Sequence, residues 1–155
     1  MSIEKVREHL KKYDLAERIM EFDISSATVA EAAVALGCAE AEIAKTMSFK
    51  IDDGAVIIVT AGDTKIDNHK FKEFFGKKAV MLKFEEVEEL LGYPVGGVCP
   101  FDLPCDIPVY LDNSLLRFEV VYPAAGSRNS AVKLSLKELE TTSGAKEWID
   151  VCSIK

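Results

Sequence analysis

Thr46-Met47-Ser48-Phe49-Lys50-Ile51-Asp52-Asp53-Gly54-Ala55-Val56-Ile57-Ile58-Val59-Thr60-Ala61 is the stretch that decides the fold. Two runs rich in apolar and β-branched residues, Thr46 to Ile51 and Ala55 to Ala61, flank Asp52-Asp53-Gly54, and together they read as a β-hairpin. Before the hairpin the periodicity is helical. Ser2 is a candidate N-cap for a first helix carrying Ile3, Val6, Leu10 and Tyr13 on one face, and Asp14 is read as opening a short second helical turn. Thr28 with Glu31 forms a capping-box signature for an alanine-rich helix that should stop at Gly37. A shorter helix is expected from Ala39 toward Lys45.

Beyond the hairpin, Asp67 can cap a helix running through Phe75 and closed by Gly76. Ala79 to Lys83 is read as a strand, followed by an acidic helix from Glu85 to Leu91 closed by Gly92. Strands are expected at Ile107 to Leu111, Phe118 to Ala124 and Ala131 to Leu134. Ser135 then starts a helix ending at Gly144, and Glu147 to Ser153 supplies a last strand. Strands and helices mix without strict alternation, and no repeat or linker divides the chain. The expectation is therefore one α+β domain over residues 1–155, built on a mixed, strongly curved, barrel-like sheet.

Composition narrows the function classes. A chain of 155 residues with 48% hydrophobic and 29% charged residues can bury one core and is not disordered. The longest strongly apolar run, Ala55 to Val59, is too short to cross a bilayer, and Met1 to Leu10 does not read as a signal peptide. Cys38, Cys99, Cys105 and Cys152 match neither a zinc cluster nor a Cys-x-x-Cys pair, so free thiols in a reducing, cytoplasmic compartment are expected, with no metal and no cofactor. A net charge of −7 argues against coating nucleic acid by charge alone. Lys65, Lys70, Lys72, Lys77, Lys78 and Lys83 nevertheless crowd one stretch, either as a solvated helix face or as a local basic surface.

Nucleotide-binding glycine loops and a Gly-x-Ser-x-Gly elbow are absent, and His9 and His69 read as surface residues rather than bases. Cys99 has no identifiable base and is a weak nucleophile candidate. Two features look functional. The segment Tyr93 to Pro104 packs two adjacent glycines and three prolines into twelve residues, so it is a loop, and such loops often carry function. Lys45 stands at an expected helix-to-strand junction, where a partly buried ammonium serves as a point charge near a ligand; a helix-end lysine interacting with the dipole and water is the alternative.

Several segments together resemble the YbaK/EbsC family of aminoacyl-tRNA deacylases, which is similar to the editing domain of prolyl-tRNA synthetase. They are Ala27 to Ala33, Ile43-Ala44-Lys45-Thr46, Ile57 to Asp63, Gly92 to Phe101, Pro108 to Asp112 and Tyr122 to Gly126, in the family's order. The resemblance implies hydrolysis of the ester between a mischarged small amino acid (alanine, serine, cysteine or similar, with tRNA-Pro as a candidate carrier) and the tRNA 3′ end. It implies Lys45, Gly96, Gly97 and Pro100 as catalytic residues, the last three within the Gly-x-x-x-Pro loop. Such a loop can offer backbone N–H groups to a developing oxyanion, and water activated beside the ribose 2′-hydroxyl then needs no protein nucleophile.

The amino-acid pocket implied by the same resemblance draws on Met20, Phe22, Thr28, Val29, Thr46, Ser48 and Gly126. Contacts to tRNA fall to Lys70, Lys72, Lys77 and Arg128. The implied partners are aminoacyl-tRNA and, as a further candidate, an aminoacyl-tRNA synthetase, with no DNA and no membrane. A non-catalytic synthetase-associated or tRNA-binding adaptor is the reading from a different class.

Overall fold

A computed structural model describes residues 2–155; the side chain of Ser2, the expected N-cap, lies outside the described residues. The hairpin stands at the centre. Strand β2 (Ile43–Ile51) pairs antiparallel with β3 (Gly54–Ala61), with Ile51 opposite Gly54, so the turn is Asp52-Asp53 and Asp52 takes a positive φ of 52°. Every residue of β3 after Gly54 is buried, which explains its unbroken apolar run: this strand is covered on both faces. Ala55, Ile57, Val59 and Ala61 point into the larger core, while Val56 and Ile58 point into a second cluster with Phe49 and Phe71.

Around this hairpin a curled half-barrel closes. Strand β5 (Val109–Asp112) runs parallel to β3, and β6 (Val120–Pro123) runs parallel to β2 through Ile43 and Ala44. The short strands β8 (Leu134–Ser135) and β9 (Trp148–Ile149) complete a six-stranded mixed sheet in the order β8-β6-β2-β3-β5-β9. Two small ribbons flank it. Strand β1 (Ile19–Glu21) pairs with β7 (Ser130–Val132), and β4 (Thr64–Ile66) pairs with β10 (Cys152–Ile154). The α+β architecture with a strongly curved mixed sheet is as the sequence implied.

Helix signals read from the sequence hold where a cap fixes them. Helix α1 (Ser2–Lys11) buries Val6 and Leu10. Helix α2 (Val29–Leu36) has the Thr28/Glu31 capping box and a left-handed Gly37. Helix α3 (Asn68–Phe75) is capped by Asp67, α4 (Phe84–Leu91) ends at Gly92, and α5 (Leu136–Ser143) carries the Ser135/Glu138 box. The uncapped expectations are corrected. Asp14 sits in the left-handed region, and a single 3-10 turn follows at Ala16–Arg18. After Ala39 only a 3-10 turn (Glu40–Glu42) forms, because Ile43 already pairs with Tyr122 in the sheet. Ala79 to Lys83 is not a regular strand; it lies along the open edge of β2, with Lys50 N–H donating to Val80 O at 2.7 Å and Met81 bridging Phe49.

Candidate active site

A pocket of about 390 Å³ opens between the start of α2, the inner face of β2, the Gly96 loop and the segment leading into β7. Thr46 and Ser48, two residues apart on β2, share the face that looks into the larger core, and both reach the pocket wall. Ser26 and Ser130 also line it. The remaining wall is largely apolar, from Val29, Ala44, Leu82 and Val87 among others. Lys45 is the one charged residue on the wall, and among the described lining residues there is no histidine, cysteine or carboxylate. The Thr46 hydroxyl is shielded from solvent and has no hydrogen-bond partner among the described residues. Such a group is costly unless a ligand satisfies it.

Lys45 is the third residue of β2, not the end of a helix. Its ammonium donates to the carbonyl of Thr64 in β4. Burial, reinforced by the positive charge of Lys155, holds its pKa below the ordinary lysine value, while Cys152 and Asp63 oppose the shift. Asp63 is itself gripped by Arg117, whose Nη1 and Nη2 donate at 3.0 and 2.6 Å, so its carboxyl titrates below the usual range.

The two loop glycines differ. Gly96 has φ +92° and lies on the pocket wall. A Cβ there would come within 2.9 Å of the Ala27 methyl and 3.3 Å of Arg128 Cγ. Gly97 does not line the pocket. Its N–H donates to Pro94 O at 2.9 Å, and a Cβ would lie 2.9 Å from the Ser127 backbone and 3.0 Å from Gly126. Its glycine requirement is set by one loop stacking on another rather than by approach of a substrate. The amides of Gly96 and Val98, both on the wall, make no hydrogen bond among the described residues, so they are the N–H groups this loop leaves for a ligand.

Of the other residues picked from the sequence, Thr28, Val29, Thr46 and Ser48 line the pocket. Gly126 is buried behind it against Gly97. Met20 and Phe22 are one strand removed: Met20 pairs with Ala131, and Phe22 N–H donates to Asn129 O at 2.8 Å. Pro100 faces a different depression beside His9 and Thr142. Arg128 is exposed and lies against Gly96 at the pocket's edge. Lys70, Lys72 and Lys77 are away from the wall, on or just after α3, which packs through Phe71 on the opposite sheet face. Lys70 pairs with Asp150 at 3.0 Å and Lys77 pairs with Asp52, so two of these three charges are already answered.

His9 is not a surface group: it is half-buried, and Nε2 donates to Thr142 O at 2.7 Å. The four cysteines are free, and burial pushes the Cys99 thiol up to about 12, against opposing hydrogen bonds from the Phe101 backbone and Tyr93, leaving it protonated. Sequence reading missed Met81, Phe84, Val95 and Tyr122 on the wall. For Phe84 a signal existed: with Val87 and Leu91 it extends the apolar stripe of α4, yet it stands 76% exposed.

The chain is similar to known proteins over most of its length. The aminoacyl-tRNA editing domain profile matches residues 25–142, and the chain belongs to that YbaK-like editing family. An uncharacterized Bacillus subtilis (strain 168) protein, YwhH, is 50% identical over 153 residues, 98% of each chain. The proline–tRNA ligase of Bacillus cytotoxicus is 30% identical over 107 residues, 67% of this chain but 19% of that enzyme. A crystal structure of a proposed trans-editing enzyme for prolyl tRNA synthetase superposes with a TM-score of 0.87 at 29% identity, covering 98% of this chain and 97% of that one. Among the described residues no helix is long and apolar enough to cross a membrane.

Proposed function

We propose that the protein is a trans-acting deacylase that hydrolyses the ester of aminoacyl-tRNA carrying a small, wrongly attached amino acid, with tRNA-Pro as the carrier. The observation that carries this reading is the composition of the pocket: one lysine, two unengaged loop amides and a row of hydroxyls in an apolar wall, in a chain of the editing family. The ester carbonyl sits against the Gly96 and Val98 amides, which stabilise the oxyanion as it forms. Water attacks, held beside the ribose 2′-hydroxyl, and the 3′-oxygen leaves with a proton. Without a carboxylate, histidine or thiol on the wall, no protein base or covalent intermediate is invoked. Lys45 supplies the positive charge that offsets the developing anion. The Thr46 and Ser48 hydroxyls meet the amino group or a small polar side chain, which favours serine, alanine or cysteine over bulky residues. Arg128 at the pocket edge takes the terminal phosphates, and the reaction belongs to the cytoplasm, where the charged tRNA is.

Purified protein is incubated with tRNA-Pro charged with alanine, serine, cysteine or proline, and release of the amino acid is followed. Hydrolysis of at least one small mischarged species, with prolyl-tRNA spared, is the expected result. Binding of tRNA or of a synthetase with no hydrolysis of any species would establish the adaptor reading instead.

A further inference from the structure

The open side of the pocket is unusually apolar. Phe84 is 76% exposed, Met81 57% and Val95 38%, and all three belong to the pocket lining. Phe84 is the first residue of α4, and Val87 one turn later is buried on the same wall, so the stripe continues from inside the pocket out over its mouth. Two cations belong to the same rim: Lys83 precedes Phe84 and is exposed, and the exposed Arg128 lies against Gly96 of the pocket wall. An exposed aromatic ring at the mouth of a pocket, in a mixed-charge setting that includes Lys83, Arg128 and the carboxylate of Glu85, can serve as a nucleotide-stacking platform.

From this placement we infer that Phe84, supported by Met81 and Val95, is a base subsite that stacks the 3′-terminal nucleobase of the substrate. The inference rests on the deacylase reading for its occupant: an aminoacyl ester inserted into the pocket leaves its ribose at the rim and its base outside, over this apolar face. The phosphates that follow then meet Lys83 and Arg128. Stacking is tolerant of base identity, so the subsite anchors the end of the strand and the pocket selects the amino acid.

The test uses the full chain and two probes. The first is the trinucleotide CCA and its analogue lacking the terminal base, titrated by NMR at millimolar concentration. Phe84→Ala should weaken CCA binding about tenfold, within the range for one lost base–aromatic stack, and Phe84→Trp should retain it. The baseless analogue should bind the wild type about as weakly as CCA binds Phe84→Ala, and the variant should not distinguish the two ligands. The second probe is an aminoacylated acceptor-stem microhelix, for which Phe84→Ala should raise KM about tenfold and leave kcat unchanged. Equal binding of CCA to wild type and Phe84→Ala, or of both ligands to the wild type, overturns the subsite while any observed hydrolysis keeps the deacylase reading. Failure of the wild type to bind CCA at all also overturns it and leaves the apolar mouth to a protein partner. Phe84-dependent CCA binding in a chain that hydrolyses no ester keeps the subsite and removes the deacylase.

Discussion

The ammonium of Lys45 is tied to the backbone carbonyl of Thr64, so the one cation on the pocket wall is anchored to a strand outside the main sheet. Its pairing partner across the hairpin, Thr60, is fully buried with an unpartnered hydroxyl. Lys45 therefore points to the face of β2 opposite Thr46 and Ser48 while still contributing to the pocket wall, and the Thr64 carbonyl fixes where its ammonium lies.

Lys45→Ala should lower deacylation about a hundredfold, the loss expected for one electrostatic contact to a developing oxyanion. Lys45→Arg should not restore it, because the guanidinium is bulkier and the Thr64 carbonyl offers a single acceptor. Single-turnover hydrolysis of a mischarged tRNA reads this directly. Turnover at the wild-type rate in Lys45→Ala would remove the lysine from the chemistry.

Gly97→Ala should destabilise the fold by about 1–3 kcal/mol, because its methyl group meets the Ser127 backbone at 2.9 Å and backbone cannot swing aside as a side chain can. Gly37→Ala, at φ +69° but with nothing within 4 Å, should cost only about 1 kcal/mol of backbone strain. Urea denaturation of both variants makes the comparison. Equal losses would mean that the loop does not rest on Ser127 as described.

The two unpartnered threonine hydroxyls should behave oppositely toward function. Thr60→Val removes a buried, unsatisfied group from inside the sheet and should leave stability unchanged or raise it by about 1 kcal/mol, with hydrolysis intact. Thr46→Val changes the pocket wall and should alter the ranking of serine against alanine esters by about tenfold. A substrate panel measured on both variants decides it. A selectivity change in Thr60→Val, or none in Thr46→Val, would contradict the assignment.

The Arg117–Asp63 pair should give an acid-sensitive contribution. Asp63 titrates below its ordinary value of 3.8 in the folded protein, chiefly because Arg117 hydrogen-bonds its carboxylate. A depressed folded pKa means stability that is present above the unfolded pKa and lost as pH falls through the folded one. Both side chains are partly exposed, so the contribution is about 1 kcal/mol or less. The stability difference between wild type and Arg117→Gln should be constant from about pH 7 to pH 5 and shrink below about pH 4. A difference that widens toward acid would contradict the sign.

What the sequence made legible was local. The hairpin follows from its turn and flanking runs, and helices α2 and α5 follow from Thr28 with Glu31 and Ser135 with Glu138, because each signal lies within a few residues of what it specifies. Strand β1 escaped notice because three residues, Ile19–Glu21, are extended only by pairing with Ser130–Val132. Lys45 was placed on a helix end for the same reason, since its strand starts where distant Tyr122 supplies a partner. Within the site, the β2 positions Lys45, Thr46 and Ser48 were found together, whereas Gly97 was read as substrate-facing when its constraint is Ser127. A glycine reports that space is short, not which neighbour takes it.

The parallel pairings of β2 with β6 and of β3 with β5 also set an order of events in time. The β2–β3 hairpin closes over a two-residue turn, but its parallel neighbours must be brought back from beyond residue 108. Non-local closures of this kind are slow, so refolding should show amide protection in the hairpin well before the rest of the sheet. The pocket walls run from Ser26 to Ala131 and exist only once those late closures are made. A chain still emerging from the ribosome can thus hold a formed hairpin while having no affinity for its ligand, and binding competence becomes a marker of the last folding step.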